Sequence, residues 1–102
     1  MAKVHVIARF AAHEGNENQL RSLLQGMLMP TRAESGCELY ELYESDSRGR
    51  FYLCETWESQ AALDRHKEAP PFKHLQKTVG EFLKEPFEVN IVRMVLTGAA
   101  AA

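Results

Sequence analysis

Between positions 55 and 72 stand four side chains whose types suit chemistry on a small organic molecule: Glu55, Trp57, His66 and Phe72. His66 falls on one helical stripe with Ala62 and Leu63. An imidazole held there against a sheet titrates near neutrality and can take a proton as a general base. Glu55 shares a strand face with Leu53 and Trp57 in an otherwise apolar run. A carboxyl in that position must be paired, hydrogen-bonded or shifted in pKa, and it can orient His66 or bind a substrate. Trp57 can wall a flat pocket and donate its indole N–H to a substrate oxygen. Phe72, just after Pro70-Pro71, can close over such a pocket. Each residue also has an ordinary structural role open to it: His66 bonded to a backbone carbonyl or water, Trp57 and Phe72 as core, Glu55 paired with Arg9 or Arg93.

The elements that must position these groups are legible from periodicity. Residues 3–11 alternate, with Val4, Val6, Ala8 and Phe10 on one face and His5, Ile7 and Arg9 on the other, which predicts a first strand. A helix follows, with Leu20, Leu23, Leu24, Met27 and Leu28 as its apolar stripe. Asn16 and Gln19 have the spacing of a capping box, Pro30 bends or interrupts the helix, and a second piece through Ala33 ends at Gly36, which can supply a left-handed cap. Residues 37–45 and 50–57 form a hairpin about the polar turn Ser45-Asp46-Ser47-Arg48-Gly49. Ser59 caps a second helical region, from about Gln60 to Leu83, interrupted at Pro70-Pro71. Residues 87–96 alternate again as a fourth strand. The order βαββαβ is that of a ferredoxin-like α+β fold, a four-stranded antiparallel sheet with helices on one face.

The 102 residues fit one domain, with a core at about 3–96 and a frayed tail at 97–102. Hydrophobic content of 45% and charged content of 25% are those of an ordinary globular chain, and a net charge of −2 provides no broad basic field for nucleic acid. No apolar run has membrane-spanning length and no signal-peptide pattern opens the chain, so cytoplasmic residence is expected. Cys37 and Cys54 have no metal-like spacing. The hairpin puts Cys54 across from about Glu41 and Cys37 across from about Glu58, too far apart to bridge, so both are expected free. His5, His13 and His74 have no metal-like spacing among them, and His66 and His74 are separated by the double proline. There is no Gly-rich strand-turn-helix loop for a dinucleotide and no G-x-S-x-G elbow, so no cofactor is expected.

Strands 2, 3 and 4 carry large apolar or aromatic residues on both faces, whereas two helical regions can cover only one. The uncovered face predicts a second copy joined sheet to sheet. Tyr40, Tyr43 and Tyr52 fall either in the pocket or at that seam.

The run Glu55, Trp57, Ala62-Leu63, His66, Pro70, Phe72 resembles the antibiotic biosynthesis monooxygenase family, small dimeric ferredoxin-like proteins. The upstream Arg32-Ala33-Glu34-Ser35-Gly36-Cys37 resembles that family's helix-to-strand joint, and the likeness spans roughly residues 3–96. It implies a dimeric α/β barrel formed by two copies. It also implies a cofactor-independent monooxygenase acting with O₂ on a small quinol-, phenol- or anthrone-like aromatic, with His66 as base. The haem-degrading branch of the same fold is similar but carries Asn, Trp and His where this chain has Ala8, His66 and Gln76, which argues against haem. Two other readings of the pocket stay open. One is an isomerase or other proton-transfer enzyme on a small carbonyl or phosphorylated compound, with Arg9 and Arg93 binding the anion if they face the cavity. The other is a non-catalytic dimeric ligand-binding module.

Overall fold

The computed structural model describes residues 2–95, so the expected tail at 97–102 and the last position of the expected fourth strand lie outside it. The elements follow in the order β1 (Val4–Ala11), α1 (Glu17–Gln25), α2 (Leu28–Arg32), β2 (Cys37–Glu44), β3 (Arg50–Trp57), α3 (Gln60–Glu68), α4 (Pro70–Thr78), a 3-10 turn (Val79–Phe82) and β4 (Glu88–Val92). The four strands form one antiparallel sheet in the order β2-β3-β1-β4, not closed on itself within the chain. This is the ferredoxin-like α+β arrangement, with the helices on one face.

Strand alternation decides what each face carries. Val6, Ala8 and Phe10 of β1 and Phe51, Leu53, Glu55 and Trp57 of β3 are buried beneath the helices. Leu20, Leu24, Met27, Ala62, Leu63, Leu75 and Val79 close the core from the helical side. The opposite face presents Ile7, Tyr52, Cys54 and Val92, all half-buried, beside Leu39 and Tyr43, which are 40% and 53% exposed.

Several local expectations need correction. Asn16 precedes α1, but its backbone (φ −109°, ψ 16°) lies outside the extended region that lets a side chain reach back, and it makes no side-chain cap bond. Glu17 instead accepts from the Gly15 N–H at 3.2 Å. The first helical region breaks at Gly26-Met27 rather than at Pro30, which sits within the first turn of α2, where its missing N–H costs nothing. Cys37 pairs with Trp57 rather than Glu58, because an irregularity between Cys37 and Leu39 shifts the register; Glu41 does face Cys54. β4 is limited to Glu88–Val92.

Two features draw the helices toward the sheet end that carries Trp57. Gly36 has φ +87°, and a Cβ there would sit 2.6 Å from the Ala62 Cβ, so only glycine lets the α2–β2 joint lie this close to α3. Ser59 caps α3 by accepting from the Ala62 N–H. At the other end, Pro70 holds Ala69 extended (φ −80°, ψ 153°). That residue ends α3 and starts α4, which opens with two prolines where no donors are required.

Candidate functional site

A cavity of about 240 Å³ lies between the sheet and the helices α3 and α4. Its walls are mainly apolar, with Leu53, Leu63, Phe72 and Phe87 among them, and its polar lining is Tyr40, Glu55, His66 and Lys67. The pairing of Val6 with Ile91 and of Ala8 with Val89 puts both β4 residues on the cavity side of the sheet. Yet Val89 is 46% and Ile91 58% exposed. The helices therefore stop short of β4, and the cavity opens along that edge.

His66 is 3% exposed. Its ring lies 4.6 Å from the Trp57 ring centroid, with Phe72 edge-on at 5.2 Å and Tyr40 edge-on at 6.0 Å. Its Nδ1 is 2.8 Å from Glu34 Oε1. A carboxylate only accepts, so Nδ1 carries the hydrogen, and in the neutral ring the lone pair is on Nε2. Burial lowers the His66 pKa; the bond and charge of Glu34 oppose this, and Lys67 adds to the lowering. The result is a neutral, oriented imidazole on the wall of an apolar cavity.

Glu55 is 7% exposed and accepts the Trp57 indole N–H at 2.9 Å through Oε1. Burial raises its pKa to about 7, the Trp57 bond pulling it down and the Glu34 charge pushing it up. Burial likewise raises the Tyr40 hydroxyl and pushes the Cys37 thiol up to about 11.

Three of the four candidates from the sequence, Glu55, His66 and Phe72, line this one cavity. Trp57 lies behind them, fully buried, with its N–H committed to Glu55 and so not available to a substrate oxygen. Glu55 does not orient His66; Glu34 does. Arg9 is on the opposite sheet face beside Glu88, and neither it nor Arg93 lines the cavity, so neither arginine serves an anion there. The sequence reading missed the role of Glu34. Its only signal was an acidic residue two positions before a glycine at a helix-to-strand joint. Among the described residues no group of three or more His, Cys, Asp or Glu side chains is placed to hold a metal ion, and no helix is long and apolar enough to cross a membrane.

The Glu34–His66 contact makes a direct prediction. In Glu34→Gln, the His66 pKa measured by NMR titration of the imidazole should fall below its wild-type value, because the bond and charge that favour the protonated ring are weakened. An unchanged pKa would mean that Glu34 does not hold the ring in solution.

Residues 3–78 match the family model described as antibiotic biosynthesis monooxygenase. Over 89 residues the chain is 43% identical to Rv0793 of Mycobacterium tuberculosis, a candidate monooxygenase, covering 87% of this chain and 88% of that one. The solved structure of Rv0793 superposes with a TM-score of 0.88 at 40% identity, over 94% of this chain and 98% of the other. PA3566 of Pseudomonas aeruginosa gives 0.86 at 26% identity, over 94% and 97% of the two chains. SO0527 of Shewanella oneidensis gives 0.82 at 29%, over 88% of each. A family match across most of the chain and a close relative over nearly its whole length make this protein a member of the antibiotic biosynthesis monooxygenase family.

Proposed function

We propose that this protein is a cofactor-independent monooxygenase that oxidises a small quinol-, phenol- or anthrone-like aromatic with O₂, with His66 as the base. The observation that supports it is the buried imidazole held at Nδ1 by Glu34 on the wall of an apolar cavity of about 240 Å³. Such a cavity suits a flat, largely uncharged ligand of two or three rings. Phe72 packs against the ligand from α4, Glu55 meets one of its polar atoms, and Trp57 braces both His66 and Glu55 from behind.

For a CH₂ group between two aromatic rings, the reaction runs as follows. His66 Nε2 removes one carbon-bound proton, leaving a delocalised anion. That anion passes one electron to O₂, and the substrate radical and superoxide recombine as a carbon–oxygen bond. The proton held by His66 returns to the outer oxygen, giving a hydroperoxide. Loss of the second carbon-bound proton breaks the O–O bond and releases water. One CH₂ and one O₂ become one C=O and one H₂O. The chain contributes deprotonation, orientation and exclusion of water.

A proton-transfer isomerase would use the same imidazole without oxygen. A phosphorylated substrate suits the cavity poorly, since among the described residues Lys67 is the one Lys or Arg in its lining. A small carbonyl compound, or a ligand bound without turnover, suits it better. Oxygen electrode measurements with a panel of hydroquinones and anthrones, and no added cofactor, separate these readings. Wild type should consume O₂, and His66→Ala should lose about 10²-fold or more of that rate. No uptake by the wild type would reject the oxygenase, and turnover that persists anaerobically would select the isomerase.

We further propose that two copies join through the open sheet face, as a dimeric α/β barrel. The apolar part of that face supports it: Ile7, Tyr52, Cys54 and Val92 around the exposed Leu39 and Tyr43. Burial contributes on the order of 25 cal/mol per Å² of apolar surface, so covering this face favours association. Ile7 sits between Cys54 and Asn90 in the middle of the face. Light scattering should give twice the chain mass for wild type and one chain mass for a folded Ile7→Asp. A monomeric wild type would refute the dimer.

A further inference from the structure

Glu55 has an unusual set of neighbours for a carboxyl group. It is buried on a cavity wall that also carries Val6, Leu53, Leu63 and Leu75, and among the described residues no cation is bonded to it. Arg9, on the neighbouring strand, is turned to the other sheet face beside Glu88. Its protein hydrogen bond is the Trp57 N–H to Oε1; among the described residues no donor reaches Oε2. The charged and titratable groups around it are Glu34 at the α2–β2 joint, Cys37 and Tyr40 on β2 and Cys54 beside it on β3, with His66 and Lys67 of α3 lining the same cavity. A carboxylate in this setting gains more from a proton than from the partners at hand.

We propose that Glu55, in its neutral form, is the hydrogen-bond donor that binds a carbonyl or phenolate-like oxygen of the aromatic ligand in the same cavity as His66. Loss of its proton then turns the site against such ligands. With Oε1 fixed by Trp57, Oε2 is the oxygen left to carry the hydrogen, and it belongs to a side chain lining the cavity. The cavity thus pairs an acceptor, His66 Nε2, with a donor, Glu55 Oε2–H. The complementary ligand carries an acidic C–H or O–H and, conjugated to it, an acceptor oxygen. When His66 takes the proton, negative charge moves to that oxygen and the Glu55 hydrogen bond strengthens. The proposal rests on the aromatic-ligand reading of the cavity but not on any chemistry with O₂.

Trp57 is the only tryptophan in the chain, and it touches both groups, so its fluorescence reports occupancy of the cavity. The probes are 9-fluorenone, a flat aromatic ketone, and fluorene, the same ring system without the carbonyl. Neither titrates, and neither reacts with thiols. Binding is measured from about pH 5.5 to about pH 8.5, a window that spans the ordinary titration of histidine and a raised carboxyl. Wild type should bind fluorenone most tightly at the acid end, losing affinity by up to about tenfold per pH unit once Glu55 ionises. Fluorene affinity should stay level. Glu55→Gln, which keeps an acceptor for Trp57 and a donor for the ligand, should bind fluorenone at every pH about as well as wild type does in acid. That variant also separates Glu55 from His66, Glu34 and the other neighbours, all of which it retains. Equal binding of the two probes by wild type at all pH overturns the proposal while leaving the ligand site standing. A fall with pH that persists in Glu55→Gln overturns it by assigning the titration to another group. Binding of neither probe removes the aromatic-ligand reading and the proposal with it. If Glu55→Gln does not fold, the contrast between the two probes on wild type decides the matter alone.

Discussion

Glu55 is buried with a single N–H for company, and the fold must sustain that burial. Its pKa rises from 4.5 to about 7, and each unit corresponds to 1.36 kcal/mol, so holding it ionised would cost about 3 kcal/mol. The sign follows from proton counting. Between 4.5 and 7 the native state keeps a proton that the unfolded chain has lost, so stability from this group is full below that window and is lost as pH rises through it. His66 slopes the other way. Its pKa is lowered, so its contribution is full above the ordinary histidine value and is lost as pH falls. A small domain has only about 5–15 kcal/mol of net stability, so one strained carboxyl is a substantial fraction of the total. It persists because its cross-strand partners Val6 and Tyr40 and its hydrogen-bond partner Trp57 are themselves almost fully buried.

Trp57 couples the two titrating groups mechanically. Its N–H bonds the carboxyl and its ring packs beside the imidazole, with centroids 4.6 Å apart, so one indole touches both groups. The remaining placement comes from backbone devices. Gly36 lets the α2–β2 joint approach Ala62, which carries Glu34 to the side of α3 that bears His66. Arg32 reinforces the joint by donating to the Tyr40 carbonyl at 2.9 Å. Pro70 and Pro71 redirect the chain so that α4 delivers Phe72 to the imidazole. The helices leave β4 uncovered, and the gap that would be a packing defect in a purely structural domain is the mouth of the cavity.

Local chemistry made much of this readable from the sequence alone. The strand alternation of Val6, Ala8 and Phe10, the Ser59 cap, the double-proline break and the Glu41–Cys54 register all depend on neighbours a few residues away or on a short hairpin. The pairings within the site were not readable in the same way. That Glu55 and Trp57 share a strand face follows from their spacing, but that they bond to each other depends on whether a cation pairs with the carboxyl, and among the described residues none does. Glu34 and His66 lie 32 positions apart, brought together by the close approach at Gly36. The capping box at Asn16 failed for a related reason, because side-chain spacing does not set the backbone angles a cap needs. The uncovered edge at β4 was hidden as well, since alternation assigns faces but not how far a helix reaches across them.

The most direct test of this account is an infrared titration of the free protein, comparing wild type with Glu55→Gln and following the C=O stretch of a protonated carboxyl group. A band should be present in acid, disappear with a midpoint near the Glu55 pKa of about 7, and be missing from the variant. A wild type with no such band above the ordinary carboxyl range, near pH 4.5, would contradict it. The cavity would then hold a carboxylate rather than a donor beside its base.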